Sequence, residues 1–175
     1  CIRDRFVPSQ NADNLEAKAK PVEKLLSDKL GIPVKVSVST NYNTIVEAMK
    51  SKKVDVGFLP PTAYTLAHDQ KAADLLLQAQ RYGVNKDGSS NKKLVDDYKS
   101  EILVKKNSGI KSLKDLKGKK IALQDVTSTA GYTFPLATLK KETGINATKD
   151  MKIVNVKGHD QAVISLLNSD VDAAA

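Results

Sequence analysis

Apolar positions along this chain recur with two periods, and the switches between them mark out repeated strand–helix units. A short strand ends at Phe6-Val7-Pro8-Ser9. Leu15, Ala19, Val22, Leu25, Leu26 and Leu30 then follow helical spacing, which predicts a helix capped by Asp13 or Asn14. Pro21 falls inside it and is expected to kink or break it. Gly31 and Pro33 end the helix, and Val34-Lys35-Val36-Ser37-Val38 alternates as a strand. Helical spacing returns from Tyr42 to Ser51, and Val54–Leu59 reads as the next strand. Pro60-Pro61 stops that strand, and Thr62 is placed to cap a short helix carrying Tyr64, Leu66 and Ala67.

Leu75-Leu76-Leu77 and Ile102-Leu103-Val104 read as further strands, with a polar loop from Asn85 to Asn91 between them. A short helix within Lys111–Lys120 feeds a strand at Ile121–Leu123, and a longer helix ends at Gly144. Strand Ile153–Val156, helix Asp160–Asn168 and the start of a strand at Val171 complete the pattern. Repeated β-α-β units predict a mostly parallel sheet with helices on both faces. An internal echo supports two similar halves: Tyr42–Gly57 aligns without a gap to His159–Ala174, matching Val46 to Val163, Val54 to Val171 and Asp55 to Asp172. Tyr42 and His159 would then open equivalent helices, at the carboxyl ends of strands where open α/β sheets hold ligands. The last residues, Val171-Asp172-Ala173-Ala174-Ala175, read as the beginning of a buried strand, so the sequence is expected to be a C-terminally truncated fragment. Cys1 is either the lipid-bearing residue of a processed lipoprotein or, with Ile2-Arg3-Asp4-Arg5, foreign to the domain, because the polar linker usual after such an anchor is missing.

Composition removes several classes of function. The net charge of +8 is mostly scattered lysine with only Arg3, Arg5 and Arg81, unlike the concentrated basic stripe of a nucleic-acid binder. A single cysteine excludes a disulfide framework and a thiolate metal site, and His68 and His159 lack the clustered carboxylates of a zinc site. No phosphate-binding G-x-x-x-x-G-K-[ST] loop, G-x-S-x-G elbow or membrane-spanning apolar run occurs.

Chemistry concentrates in Asp125-Val126-Thr127-Ser128-Thr129-Ala130-Gly131-Tyr132, between the strand at Ile121 and the helix through Phe134 and Leu139. Helix starts expose unpaired N–H groups and a positive dipole end, so hydroxyls there read either as a helix cap or as an oxyanion cradle.

These residues occur in one order with Val7–Asn11, Tyr42–Met49, Lys53–Tyr64, Ser112–Ala122 and Gly158-His159-Asp160-Gln161-Ala162-Val163. Together they resemble the PhnD-like phosphate, phosphite and phosphonate substrate-binding proteins of ABC transporters, over Phe6 to Ala175. The resemblance implies an α/β, two-lobed type II periplasmic-binding-protein fold with mostly parallel sheets and a hinge. Lobe 1 would span 6–104, ending in a hinge strand near 100–106, and an incomplete lobe 2 would span 107–175. The family cradle, Asp-x-x-Ser-Thr-Ser-Gly-Tyr, maps onto Ser128 and Thr129 as ligand contacts, with Gly131 allowing close backbone approach. Ala130 stands where the third hydroxyl would be; its backbone N–H remains, and Thr127 is expected to compensate. Tyr42, Tyr98 and His159 match further ligand residues, while Thr62 and Tyr64 are weaker cleft candidates, packing being the ordinary role of Tyr64. The acidic residues that hold a ligand amino group in the family would lie beyond Ala175.

The implied function is a non-enzymatic, extracytoplasmic solute receptor, periplasmic or lipid-anchored. It would be monomeric, without cofactor, metal or nucleic acid, and would deliver its oxyanion to ABC permease subunits. Two alternatives stand beside it. An enzyme on the same scaffold could pair Ser128 with His159, although no orienting carboxylate is identifiable. An effector-binding domain of a transcription regulator would need a helix-turn-helix absent from this sequence.

Overall fold

The computed structural model describes residues 1–175 and contains two separate α/β sheets joined through an antiparallel hairpin. In the first sheet β1 (Ile2–Phe6) lies between β2 (Val34–Val38) and β3 (Val56–Phe58), with both pairings parallel. In the second, β6 (Leu103–Val104) pairs antiparallel with β9 (Ala173–Ala174), which runs parallel to β7 (Lys120–Leu123); β7 pairs parallel with β8 (Lys152–Asn155). The hairpin is β4 (Arg81–Val84) and β5 (Ser90–Val95).

Helix α1 (Ala12–Leu30) starts one turn earlier than its apolar spacing suggests, because the Asn11 side chain accepts the Asn14 N–H at 3.1 Å. The helix continues through Pro21, and Gly31 ends it in the left-handed region at φ 68°. It also covers the free edge of β2: Val34 N–H donates to Ser27 Oγ at 3.0 Å and Val36 N–H to Glu23 Oε2 at 2.8 Å. An edge strand covered this way cannot recruit a stranger. The Val36 bond holds the Glu23 carboxyl below its ordinary pKa.

Helices α2 (Tyr42–Lys50) and α3 (Pro61–Asp69) pack on the first sheet through Ile45, Val46 and Ala67. The second sheet has the larger core. Side chains alternate across β7, so Ile121 and Leu123 join Leu116, Leu139, Ile145 and Met151 on one face, under α4 (Phe134–Thr143) and α5 (Ala147–Asp150). Ala122 turns to the other face with Ala162, Leu166 and Val171, under α6 (His159–Leu167).

Several expectations change. Leu75-Leu76-Leu77 forms no strand; it runs unpaired, with the three side chains 63%, 77% and 83% exposed. The only first-sheet ladder partner of β3 is β1, and this leucine run joins neither sheet. The Asn85–Asn91 loop shrinks to the tip of the β4–β5 hairpin. The helix before Ile121 is a single 3-10 turn, Leu113–Leu116. Pro60 rather than Thr62 is the N-cap of α3, which frees the Thr62 side chain. No helix is long and apolar enough to cross a membrane.

Strand β1 begins at Ile2, so the residues suspected to be foreign lie within the sheet. Arg3 clasps Asp55 through Nε and Nη2, at 2.9 and 2.8 Å. Asp4 is less at ease: it is 1% exposed, sits in register between Val36 and Val56, and neither carboxylate oxygen has a partner. Burial raises its pKa from 3.8 to about 6. A carboxyl whose folded pKa is raised costs nothing below its unfolded value and destabilises progressively as pH rises through the folded one. Asp4 is therefore expected to cost about 3 kcal/mol at neutral pH. Urea unfolding should show the stability advantage of Asp4→Val over wild type growing from about pH 4 to about pH 7, on top of the pH dependence that both proteins share through groups such as Glu23 and His159. Parallel profiles for the two proteins would refute this.

Candidate functional site

Strand β7 ends at Leu123, and the chain turns at Gln124 into the hydroxyl run. Thr129–Thr133 then forms one π-turn that leads into α4, a wide turn found mostly where helices carry function. Gly131 is closely packed there: a Cβ on it would lie 2.7 Å from the Gln124 side-chain amide, which would have to shift. The Gly131 carbonyl accepts the Gln124 N–H at 3.0 Å, while its own N–H reaches Ser128 Oγ at 3.3 Å.

The run faces the first sheet directly. Thr62 N–H, near the start of α3, donates to Thr129 Oγ1 at 2.8 Å, and Thr129 Oγ1 donates to Thr62 Oγ1 at 3.0 Å. Thr62 Oγ1 continues to Thr133 Oγ1 at 3.4 Å, and Thr133 Oγ1 to the Val126 carbonyl at 3.3 Å. Thr127 Oγ1 donates to Asp125 Oδ1 at 2.9 Å and reaches Asn43 Oδ1 at 3.4 Å. Tyr42, the first residue of α2, is 3% exposed, and its hydroxyl donates to Gln124 Oε1 at 3.4 Å. Ser128 Oγ donates to the same oxygen at 3.4 Å.

His159 opens α6 behind Gly158, whose φ of 89° is poorly accessible to other residues and which supplies no side-chain cap. Its N–H donates to the Ser9 carbonyl at 3.0 Å, and the next residue, Asp160, accepts the Asn11 N–H at 3.2 Å. His159 and Ala130 line one cavity of about 180 Å³ with Lys99, Glu101 and Val163 among its walls. The Ala130 carbonyl accepts the Ser100 hydroxyl at 2.7 Å.

Tyr42, Thr62, Thr127, Ser128, Thr129, Ala130 and Gly131 therefore meet at the boundary between the sheets, and His159 borders the same place. Tyr98 lies in the connection after the hairpin, 43% exposed, with the Arg81 guanidinium 4.9 Å from its ring centre. Tyr64 turns elsewhere, its ring 5.8 Å from that of His68. Sequence reasoning missed Gln124, Asn43 and the Ser9–Asn11 contact. Gln124 carried a readable signal, being a polar residue directly after an apolar strand at its carboxyl end.

The site's donors are neutral. Burial raises the Tyr42 phenol, offset in part by Ser128, and burial lowers the His159 imidazole against the pull of Asp160. Positive potential comes from helix starts, since α2, α3, the π-turn leading into α4, and α6 all begin here, and from Lys99, which faces the His159 cavity beside Glu101. Ser128 Oγ is committed to Gln124 and Gly131 rather than to His159, so no nucleophile–base pair is assembled.

Comparison with known proteins agrees with this architecture. The family described as "ABC transporter, phosphonate, periplasmic substrate-binding protein" matches residues 5–175, and the chain belongs to that family, one of binding proteins and not of enzymes. It is 30% identical over 174 residues to the phosphate-import protein PhnD of Mycolicibacterium smegmatis, covering 95% of this chain and 52% of that protein. It is 27% identical over 173 residues to the phosphonates-binding periplasmic protein of Escherichia coli, covering 97% and 48%. The structure of PhnD1 from Prochlorococcus marinus in complex with methylphosphonate superposes with a TM-score of 0.80 at 22% identity, covering 99% of this chain and 62% of that one. The fold is thus that of the type II periplasmic binding proteins. This chain spans about half the length of the curated relatives it matches.

Because Gln124 fills the space over Gly131, Gly131→Ala should lower the thermal midpoint by the equivalent of about 1–3 kcal/mol, the usual cost of overpacking. Adding Gln124→Ala should recover part of that loss. An unchanged midpoint in the single variant would show that the amide can move aside freely.

Proposed function

We propose that this chain forms the oxyanion-binding cleft of an extracytoplasmic solute receptor of an ABC importer, and that the ligand is a phosphonate or a related phosphorus oxyanion such as phosphite or phosphate. The carrying observation is the buried hydroxyl run on a π-turn, met across the sheet boundary by the starts of α2 and α3 and bordered by the start of α6. Backbone N–H groups and neutral hydroxyl and imidazole donors stabilise an anion without a fixed counter-charge. In this reading Tyr42 reaches the ligand from lobe 1 (6–104), and Ser128, Thr129 and the Ala130 amide receive it from lobe 2 (107–175). His159 donates from the second wall, Tyr98 closes the hinge side, and Thr62 and Thr127 brace the hydroxyls. Gly131 lets the backbone approach, and Tyr64 packs at the margin.

Closure of the lobes over the oxyanion then presents a surface to the permease subunits in the membrane. The receptor works as a monomer, in the periplasm or lipid-tethered to the outer face of the cell membrane, without cofactor or nucleic acid. Ala130 removes one side-chain donor, so this site is expected to differ in affinity or preference from relatives with a hydroxyl there.

Titration calorimetry of the full-length protein with methylphosphonate, phosphite, aminoethylphosphonate and phosphate should show saturable binding of at least one, with no product formed over hours. His159→Ala should weaken that binding about 10- to 100-fold, as loss of a hydrogen bond to a charged group does. Absence of heat with all four ligands would sink the proposal.

A further inference from the structure

Gln124 is the one side chain that touches a site hydroxyl on each side of the sheet boundary. It is 1% exposed; its Oε1 accepts from Tyr42 and from Ser128, both at 3.4 Å, and its Nε2 has no partner. This arrangement is awkward for an anion. Each hydroxyl has a single proton, and a proton given to Gln124 Oε1 cannot be given to a ligand oxygen. Toward the cleft, Tyr42 and Ser128 then offer only lone pairs, which repel an oxyanion.

Turning the amide over about its terminal bond reverses this. Nε2 carries two protons, one for the Tyr42 oxygen and one for Ser128 Oγ, and both hydroxyl protons are released. The amide makes two hydrogen bonds before and two after; the idle group changes from an N–H pair to a carbonyl, the less costly of the two to leave unpaired. A ligand that needs both protons therefore tips the balance easily. The place is reserved for this side chain: Gly131 leaves the space it fills, since a Cβ would stand 2.7 Å from Nε2.

We propose that Gln124 is a positioning residue of the oxyanion site, whose amide donates to the Tyr42 and Ser128 oxygens in the liganded cleft and so aims both hydroxyl protons at the ligand. This rests on the reading of the cleft as an oxyanion site. It also makes the site select for ligand oxygens that accept, favouring the deprotonated forms of a phosphorus acid.

Two variants separate aiming from mere support. In Gln124→Glu the ionised carboxylate can only accept, and it captures both hydroxyl protons permanently. Gln124→Met keeps the length and leaves the hydroxyls undirected. Calorimetry of the full-length protein with methylphosphonate and with inorganic phosphate, each variant referred to wild type at the same pH, should find Gln124→Glu at least about 100-fold weaker at about pH 8. It should recover toward wild type at about pH 5 as the carboxyl protonates, while Gln124→Met loses less than about tenfold throughout. If Gln124→Glu does not fold, the coupling between Tyr42→Phe and Gln124→Met decides: the Tyr42→Phe loss should shrink in the Gln124→Met background. Equal, pH-independent losses in both variants, wild-type binding by Gln124→Glu, or full additivity in the cycle would each overturn the role of Gln124. Failure of the wild-type protein to bind any phosphorus oxyanion would overturn the function itself.

Discussion

The Thr62 N–H bonded to Thr129 Oγ1 at 2.8 Å crosses from the first sheet to the second, and it answers a requirement that both sheets share. Each helix start carries N–H groups with no partner inside the helix, and burying such a group without an acceptor costs about 1–3 kcal/mol. Helix α3 starts at Pro61 behind Pro60 and has no side-chain cap of its own. Its amide takes a hydroxyl from the opposite sheet instead. The run Thr129, Thr62, Thr133 and the Val126 carbonyl then passes each proton on to a next acceptor, so no hydroxyl is left idle. The contact is available only where the two sheets meet.

Local geometry around this contact follows from it. After β7 the chain turns at Gln124 and enters the π-turn at Thr129, where Gly131 packs against the Gln124 side chain. Gln124 in turn reaches Tyr42 and Ser128, so the side chain packed over Gly131 also links hydroxyls on either side of the sheet boundary. Burial favours the neutral forms of Tyr42 and His159, so the helix starts and Lys99 are the sources of positive potential here.

Strand and helix order was largely legible in the sequence because period and punctuation agree there. Ile121-Ala122-Leu123 alternates between two real cores, and Gly144 does end its helix, at φ 75°. The failures have physical causes. Leu75-Leu76-Leu77 looks like a strand by composition, but a strand exists only where a neighbour offers a ladder, and none is present. Thr62 was read as a local cap, whereas its bonding partners are 67 and 71 residues away, a distance no window of sequence spans. Asn11 took the cap assigned to Asp13 or Asn14 because capping depends on backbone geometry as well as residue type. The hydroxyl run itself could be located from sequence; its partners could not, because Ser128 bonds to Gln124 and Thr129 to Thr62 across the sheet boundary.

The echo between Tyr42 and His159 also looks different in three dimensions. Both residues do open helices that follow strands, but the two starts are finished in opposite ways. At α2 a full capping box occupies the Thr44 and Asn41 amides, and the helix presents the Tyr42 hydroxyl to Gln124. At α6 the cap is Gly158, which has no side chain to offer. The His159 N–H is taken by Ser9, and no cap side chain competes for the amides behind it. Asp160 instead sets a carboxylate in the first turn of α6, at the positive end of that helix, where it accepts the Asn11 N–H. The two halves thus share a topology but finish their helix starts differently: α2 is closed by its own side-chain box, whereas α6 is tied to Ser9 and Asn11 of the first half.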